Sequence, residues 1–273
     1  MPIAEIKGRG LYYECHGDSV DSGQTPLLLI NGMGGSCSGW MPLQVPHFAV
    51  ERPVVIFDHL GVGRSEDSLS PFSISDLAQD ALALTDHLGI EKADVLGAFM
   101  GGMTSQELAL AAPERVRKLV LVGTYARPDN KRVMLLKNWA ELVQMGLSTE
   151  TFIYNRLLWT LHEDTIEQND LIEAMTQFFR EEEAPVSADL FARQCRACAN
   201  HDAVDRLESL PHPTLILCGK DDILTPPKFH REINALIPDS RLVMLNYGGH
   251  LVMVESAKRF NQMVSQFLNE DEL

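Results

Sequence analysis

The sequence predicts an α/β protein: a mostly parallel, eight-stranded sheet flanked by helices, with an all-helical lid inserted late in the chain. Three observations predict it. Short aliphatic, β-branched runs alternate with helix-period segments, the pattern of a sheet covered by helices. The later runs are apolar throughout, as strands buried on both faces are. A stretch of 85 residues, 125–209, then breaks the alternation without offering a strand.

Runs at 3–7 and 10–16 read as an opening antiparallel hairpin. Six buried-strand candidates follow: 27–31 (LLLIN), 53–58 (PVVIFD), 93–97 (ADVLG), 118–123 (KLVLVG), 214–219 (TLILCG) and 241–246 (RLVMLN). Between them, 73–88 has apolar residues at helical spacing behind Ser73, with Asp76 three residues on, which predicts a capped helix. Segments 100–112, 226–236 and 256–268 also read as helices. Within 125–209 the helical period recurs near 130–146, 149–161, 165–182 and 187–201, and a structureless loop of that length is not expected in a compact domain. The chain therefore divides into a core, 1–124 with 210–273, and a helical cap, 125–209. The cap residues Met134, Trp139, Met145, Phe152, Tyr154, Trp159, Met175, Phe178 and Phe179 are expected mostly to pack inward.

Composition narrows the function. Of 273 residues, 45% are apolar and 22% charged, enough for a full core, and the formal net charge of −15 argues against nucleic acid or an anionic membrane surface. Residues 1–10 lack the apolar core of a signal peptide. No apolar run reaches the roughly 18–20 residues of a membrane span. Five scattered cysteines read as reduced thiols, which points to a cytoplasmic protein. Cys195 and Cys198 form a C-x-x-C with no second Cys/His pair, so no metal is expected. No glycine cluster completes a dinucleotide or phosphate fingerprint, so no cofactor is implied.

Three motifs follow predicted strands in a fixed order: 97-GAFMGG-102 at a strand-to-helix turn, 219-GKDDILTP-226, and 248-GGHLVMVE-255. Turn, acid, histidine is the chain order of the nucleophile-elbow hydrolases. With 31-NGMGGSCSGW-40 and 57-FDHLGVGRS-65, the chain resembles the α/β-hydrolase superfamily over nearly its whole length. Within it the chain is similar to the lid-bearing bacterial group of 3-oxoadipate enol-lactonases and small-molecule esterases. The resemblance implies that His250 is the general base and Asp222 its orienting acid, with Asp221 capping or facing water. It places the oxyanion donors at the backbone N–H groups of Met33 and Met100, and the elbow glycines at Gly97, Gly101 and Gly102. Asn31 stands where family members often have His, and Leu60 where Arg is usual.

The tip of the elbow is Phe99, where the family's motif has the nucleophilic serine. Phenylalanine has no lone pair to attack a carbonyl, which closes the acyl-enzyme route through this position. Ser36, Cys37 and Ser105 are the substitutes nearby in sequence, and each would need His250 within hydrogen-bond reach. Three readings follow. The His250–Asp222 dyad works without a nucleophile on a small, partly apolar, ester- or lactone-like carbonyl compound, with lyase, cyclase or cofactor-free oxygenase chemistry also open on this fold. Alternatively the chain is a ligand-binding pseudohydrolase, or a serine esterase or lactonase inactivated at position 99. The dyad favours the first. The expected partner is a small-molecule substrate, with a homodimer left open.

Overall fold

The computed structural model of the chain describes residues 2–181 and 186–270. Residue 1, residue 182 at the end of one predicted helix, and residues 271–273 of the predicted core lie outside the described residues. In chain order the elements are β1 (Ile3–Ile6), β2 (Arg9–His16), β3 (Leu27–Ile30), α1 (Val45–Phe48), β4 (Val54–Phe57), α2 (Ile74–His87), β5 (Ala93–Ala98), α3 (Met100–Ala111) and β6 (Val116–Val122). Five helices follow: α4 (Asn130–Gln144), α5 (Thr149–Thr160), α6 (Glu163–Ile166), α7 (Asn169–Arg180) and α8 (Ala188–Ala199). The chain then returns through β7 (Thr214–Gly219), α9 (Pro227–Leu236), β8 (Ser240–Leu245), α10 (Val252–Glu255) and α11 (Ala257–Asn269).

One eight-stranded sheet runs β1-β2-β4-β3-β5-β6-β7-β8. The pairs β1/β2 and β2/β4 are antiparallel and the rest parallel. Side chains alternate between two cores, as a period of two requires. Leu28, Ile30, Val55, Phe57 and Val95 face one side; Leu27, Leu29, Val54, Ile56 and Leu96 face the other. Helix α2 starts on the predicted cap: Ser73 accepts from the Asp76 N–H while the Asp76 carboxylate accepts from the Ser73 N–H.

The register brings five strand ends to one edge. Ile30 pairs with Gly97, Ala98 with Val122, Val122 with Leu217, and Gly219 with Leu245. Every segment that carries a motif therefore leaves the sheet at the same rim, the carboxyl edge where open α/β sheets bind ligands.

Helices α4 and α8 pack over that rim. Leu136, Trp139, Ala140 and Val143 of α4 join Phe191 and Cys195 of α8 against Met100 and Met103 of α3. That stripe falls at i, i+3, i+4 and i+7, so Met134 and Met145 lie off it and are exposed. Tyr154 and Phe178 are exposed too. The expectation of mostly inward aromatic and methionine residues is corrected at these four positions. The predicted helix 165–182 is two helices, α6 and α7, with a break at Glu167 and Gln168. Among the described residues no helix is long and apolar enough to cross a membrane.

Candidate active site

Between the end of β5 and the start of α3 the chain turns on a single residue. Phe99 takes φ +61° and ψ −116°, a region that a bulky side chain enters only when its surroundings enforce it. The glycines enforce it. A Cβ on Gly97 would strike the Gly101 carbonyl, one on Gly101 the Ile30 carbonyl, and one on Gly102 would lie 2.7 Å from Thr124 Cβ. Only hydrogen side chains let α3 press this closely on β3 and β6. Hydrogen bonds finish the turn: the Phe99 N–H donates to Val122 O at 2.9 Å, and Thr124 Oγ1 donates to Phe99 O at 2.9 Å.

The Phe99 ring stacks on the His250 imidazole with centroids 3.9 Å apart. It sits between two further glycines. A Cβ on Gly32 would collide with Phe99 Cδ2, and one on Gly123 would come within 2.8 Å of Phe99 Cε1 and 3.3 Å of His250 Cε1.

His250 Nδ1 lies 2.9 Å from Asp222 Oδ2 and 3.0 Å from Thr225 Oγ1. Thr225 Oγ1 donates to Asp222 Oδ2 at 2.8 Å, and the Leu224 and Thr225 N–H groups both donate to Asp222 Oδ1 at 2.8 Å. Burial alone would raise the Asp222 carboxyl, but the charge of His250 and the bonds from His250 and Thr225 hold it below the usual range. This carboxylate fixes the proton on Nδ1 and leaves Nε2 as the basic nitrogen. His250 and Thr225 line a cavity of about 310 Å³; Nε2 has no protein partner among the described residues. Asp221 is exposed, and its carboxylate lies 3.3 Å from His162 Nε2.

Met33 and Met100 also line the cavity, and neither backbone N–H has an acceptor among the described residues. Asn31 keeps the loop before Met33 in shape, its amide donating to Ser36 O and its carbonyl bonding His59 Nε2 at 2.9 Å. Leu60 packs with Met100 and Met103 beneath the site, where the family's arginine would have been. Sequence reasoning missed two supports from the helices above: Gly34 N–H donates to Gln194 Oε1 at 2.9 Å, and Arg156 donates to Met33 O at 3.0 Å. It also missed Thr225, whose place three residues after Asp222 in DDILT was the available signal.

None of the proposed substitute nucleophiles serves. Cys37 and Ser105 are fully buried, Ser105 Oγ donates to Gly101 O, and Ser36 Oγ pairs with Ser38 Oγ at 2.7 Å. None of the three lines the cavity. Of the groups that do, Thr160 Oγ1 donates to Arg156 O, Tyr125 to Cys198 O, and burial pushes the Cys198 thiol far up. Thr225 Oγ1 lies on the Nδ1 side of His250, and Thr149 makes no hydrogen bond to His250 among the described residues. Among the described residues no three His, Cys, Asp or Glu side chains converge as metal ligands.

The alpha/beta hydrolase fold family matches residues 25–257. A relative in Azorhizobium caulinodans, provisionally named carbamate hydrolase RutD, is 33% identical over 99% of both chains. A hydrolase from Pseudomonas aeruginosa PA01 superposes with a TM-score of 0.89 at 26% identity, over 98% of both chains. The enol-lactonase of Burkholderia xenovorans LB400 gives 0.88 at 27% identity, over 98% of this chain and 100% of its own.

Proposed function

Because the chain belongs to the alpha/beta hydrolase family, we propose that it hydrolyses a small, largely apolar carbonyl compound with His250 activating water directly. The observation that carries this reading is the imidazole held at 2.9 Å by a buried, ionised Asp222 while its far edge faces the cavity and a phenyl ring occupies the nucleophile's position. A dyad so arranged moves protons, and among the described residues no hydroxyl or thiol bonds its Nε2.

In the proposed reaction Nε2 takes a proton from water as the oxygen attacks the carbonyl carbon. The C=O electron pair moves to oxygen, and the N–H groups of Met33 and Met100 stabilise that charge. Collapse breaks the bond to the leaving oxygen or nitrogen, which takes the proton back from His250. Asp222 stays ionised throughout and stabilises the imidazolium.

The cavity lining supports one substrate class. It is mostly aliphatic and aromatic, it includes Arg132 and Arg156, and it holds no carboxylate among the described residues. Arg132 is already committed to Asp129 and to the carbonyls of Ile223 and Leu224. A cationic substrate would meet no counter-charge, so neutral or anionic esters, lactones and carbamates fit best. Helices α4 to α8 act as the lid that excludes bulk water.

The test is a panel of aryl esters, lactones and carbamates assayed with the wild type and His250→Gln, beside a serine-directed fluorophosphonate. Turnover should fall about 10³-fold or more in the variant while the phosphonate labels neither protein. Labelled wild-type protein would reveal a nucleophile elsewhere and sink the reading. Retained ligands without turnover would make this a binding protein.

A second reading has its own observation: the elbow keeps its strain, and the N–H groups of Met33 and Met100 have no acceptor among the described residues. If the chain is a serine hydrolase blocked at one residue, Phe99→Ser alone should label with the phosphonate and cleave the aryl esters.

A further inference from the structure

We propose that Glu255 is a positioning residue that makes the placement of His250 conditional on the docking of the lid. The inference rests on the reading of His250 as the base. Its observations lie at the edge of the cavity and behind it, where the α5–α6 turn meets the histidine loop.

Glu255 ends α10, five residues beyond His250, and its two oxygens serve different partners. Oε2 accepts the Gly249 N–H at 2.6 Å. Oε1 accepts the His162 N–H at 2.8 Å and the Thr165 hydroxyl at 2.6 Å. On the other side of His250, the Leu251 N–H donates straight to Thr160 O at 3.0 Å. Both chain neighbours of His250 are thus tied to residues 160–165, one directly and one through the carboxylate.

The fit between the two segments is close. A Cβ on Gly249 would lie 2.8 Å from Thr160 O and 2.9 Å from His162 N, so only glycine admits the turn here. Tyr247 closes the same contact, its hydroxyl 2.9 Å from Thr165 Oγ1 and its ring 4.9 Å from the His162 ring. Thr165 is itself fully buried. A carboxylate accepting three hydrogen bonds in such a seam is a strong, directional tie. Its loss frees the turn and the histidine loop together, and Nε2 no longer holds its place in the cavity.

Amide hydrogen exchange tests this on the whole protein, with Glu255→Gln and Thr165→Val. The informative amide is Leu251, because neither substitution touches its acceptor. Its exchange should speed up about tenfold in Glu255→Gln and by less in Thr165→Val, with core amides such as Leu29 unchanged. With 4-nitrophenyl acetate as the probe, kcat should fall about tenfold in Glu255→Gln while KM stays within twofold. Wild-type exchange at Leu251 in a folded Glu255→Gln overturns the proposal. Should that variant fail to fold, an unchanged Leu251 in Thr165→Val overturns it equally. A wild type inert towards the ester, whose Leu251 still responds to both substitutions, would sink the hydrolytic reading and leave the clamp standing.

Discussion

The phenyl ring of Phe99 lies against the imidazole of His250, centroids 3.9 Å apart and planes 24° from parallel. The contact covers one face of the imidazole and limits its rotation, while Asp222 fixes the Nδ1 edge. A ring that merely filled a gap would leave the histidine free to turn. This one leaves the Nε2 edge for the cavity.

Replacing Phe99 by Leu keeps most of the apolar volume and removes the stack. Aromatic pairs contribute about 0.5–1.5 kcal/mol beyond burial, so Phe99→Leu should lose roughly that much stability. If His250 is the base proposed above, the substitution should also lower kcat more than it raises KM, since the ring lies against that imidazole. Denaturant titration and steady-state kinetics read the two effects. Unchanged kcat in a destabilised variant would reduce the stack to packing.

Asp222→Asn tests the tautomer. The amide can offer an N–H towards His250 Nδ1, which turns the basic nitrogen away from the cavity. A loss of about 10³–10⁴ in kcat is expected with KM little changed, as when triad aspartates are amidated. Thr225→Val removes one hydroxyl bond and should cost less. Equal losses in both would mean that the carboxylate's charge matters little.

Burial lowers His201 and His230 to about 4. His230 Nε2 accepts the Thr124 N–H at 3.1 Å, and Thr124 in turn holds the Phe99 carbonyl. The unfolded chain protonates both imidazoles near the ordinary value of about 6.5, so between there and about 4 it binds more protons than the folded chain. Stability must therefore fall as pH drops through that window, by up to roughly 3 kcal/mol per histidine at its lower end. Unfolding titrations from neutral pH to about 4.5 should show this fall, and His230→Gln should flatten it. An unaltered slope in the variant would assign the acid sensitivity to other groups.

The helix α8 is tied to the core by Arg193, a buried guanidinium that pairs with both Asp67 oxygens and with Asp189. It also donates to Ser70 O at 3.0 Å. Arg193→Met keeps the stem and leaves Asp67 without its counter-charge. Breaking a fully buried pair costs about 3–5 kcal/mol, and Asp67 is partly exposed, so about 2 kcal/mol is expected. Thermal denaturation measures it, and a neutral result would show the bond to be surface decoration.

Strands β3 and β4 were legible because burial on both faces leaves no polar residue inside LLLI or VVIF. Strands β5 to β7 were legible because each keeps a mostly apolar run, despite Asp94 in β5 and Arg117 and Lys118 in β6. The helices α2, α3, α9 and α11 were legible to within a residue or two, α2 from its period and its cap. The placement of His250, Asp222, Met33 and Met100 at one rim was legible through order and motif, since each follows a strand whose end the register brings there. What stayed hidden joins distant segments: Arg156 to Met33, Gln194 to Gly34, and Glu255 to His162 and Thr165. None of these pairs has a local pattern, because each exists only once the helices between β6 and β7 are folded down. Met134 and Met145 misled for the converse reason, being apolar residues at helical spacing on the wrong side of the stripe.

Gly32 supplies the sharpest test of whether this pocket is built around Phe99. It has an ordinary backbone φ, so alanine there carries no conformational penalty. The obstacle is steric and has one owner: the three nearest atoms to an added Cβ all belong to the Phe99 side chain. In the wild type, Gly32→Ala must push the ring and disturb its stack on His250, an overpacking cost of about 1–3 kcal/mol. In a Phe99→Ser background Cδ2, the nearest of those atoms, is gone, and the tight contact that remains is the one with Cβ at 3.0 Å. The two substitutions should therefore be strongly non-additive, the double variant being more stable than the sum predicts by about 1 kcal/mol or more. Denaturant titration of the four proteins of the cycle measures this coupling. Simple additivity would show that the glycine answers to the backbone of the oxyanion loop, and that the ring arrived in a pocket shaped for something smaller.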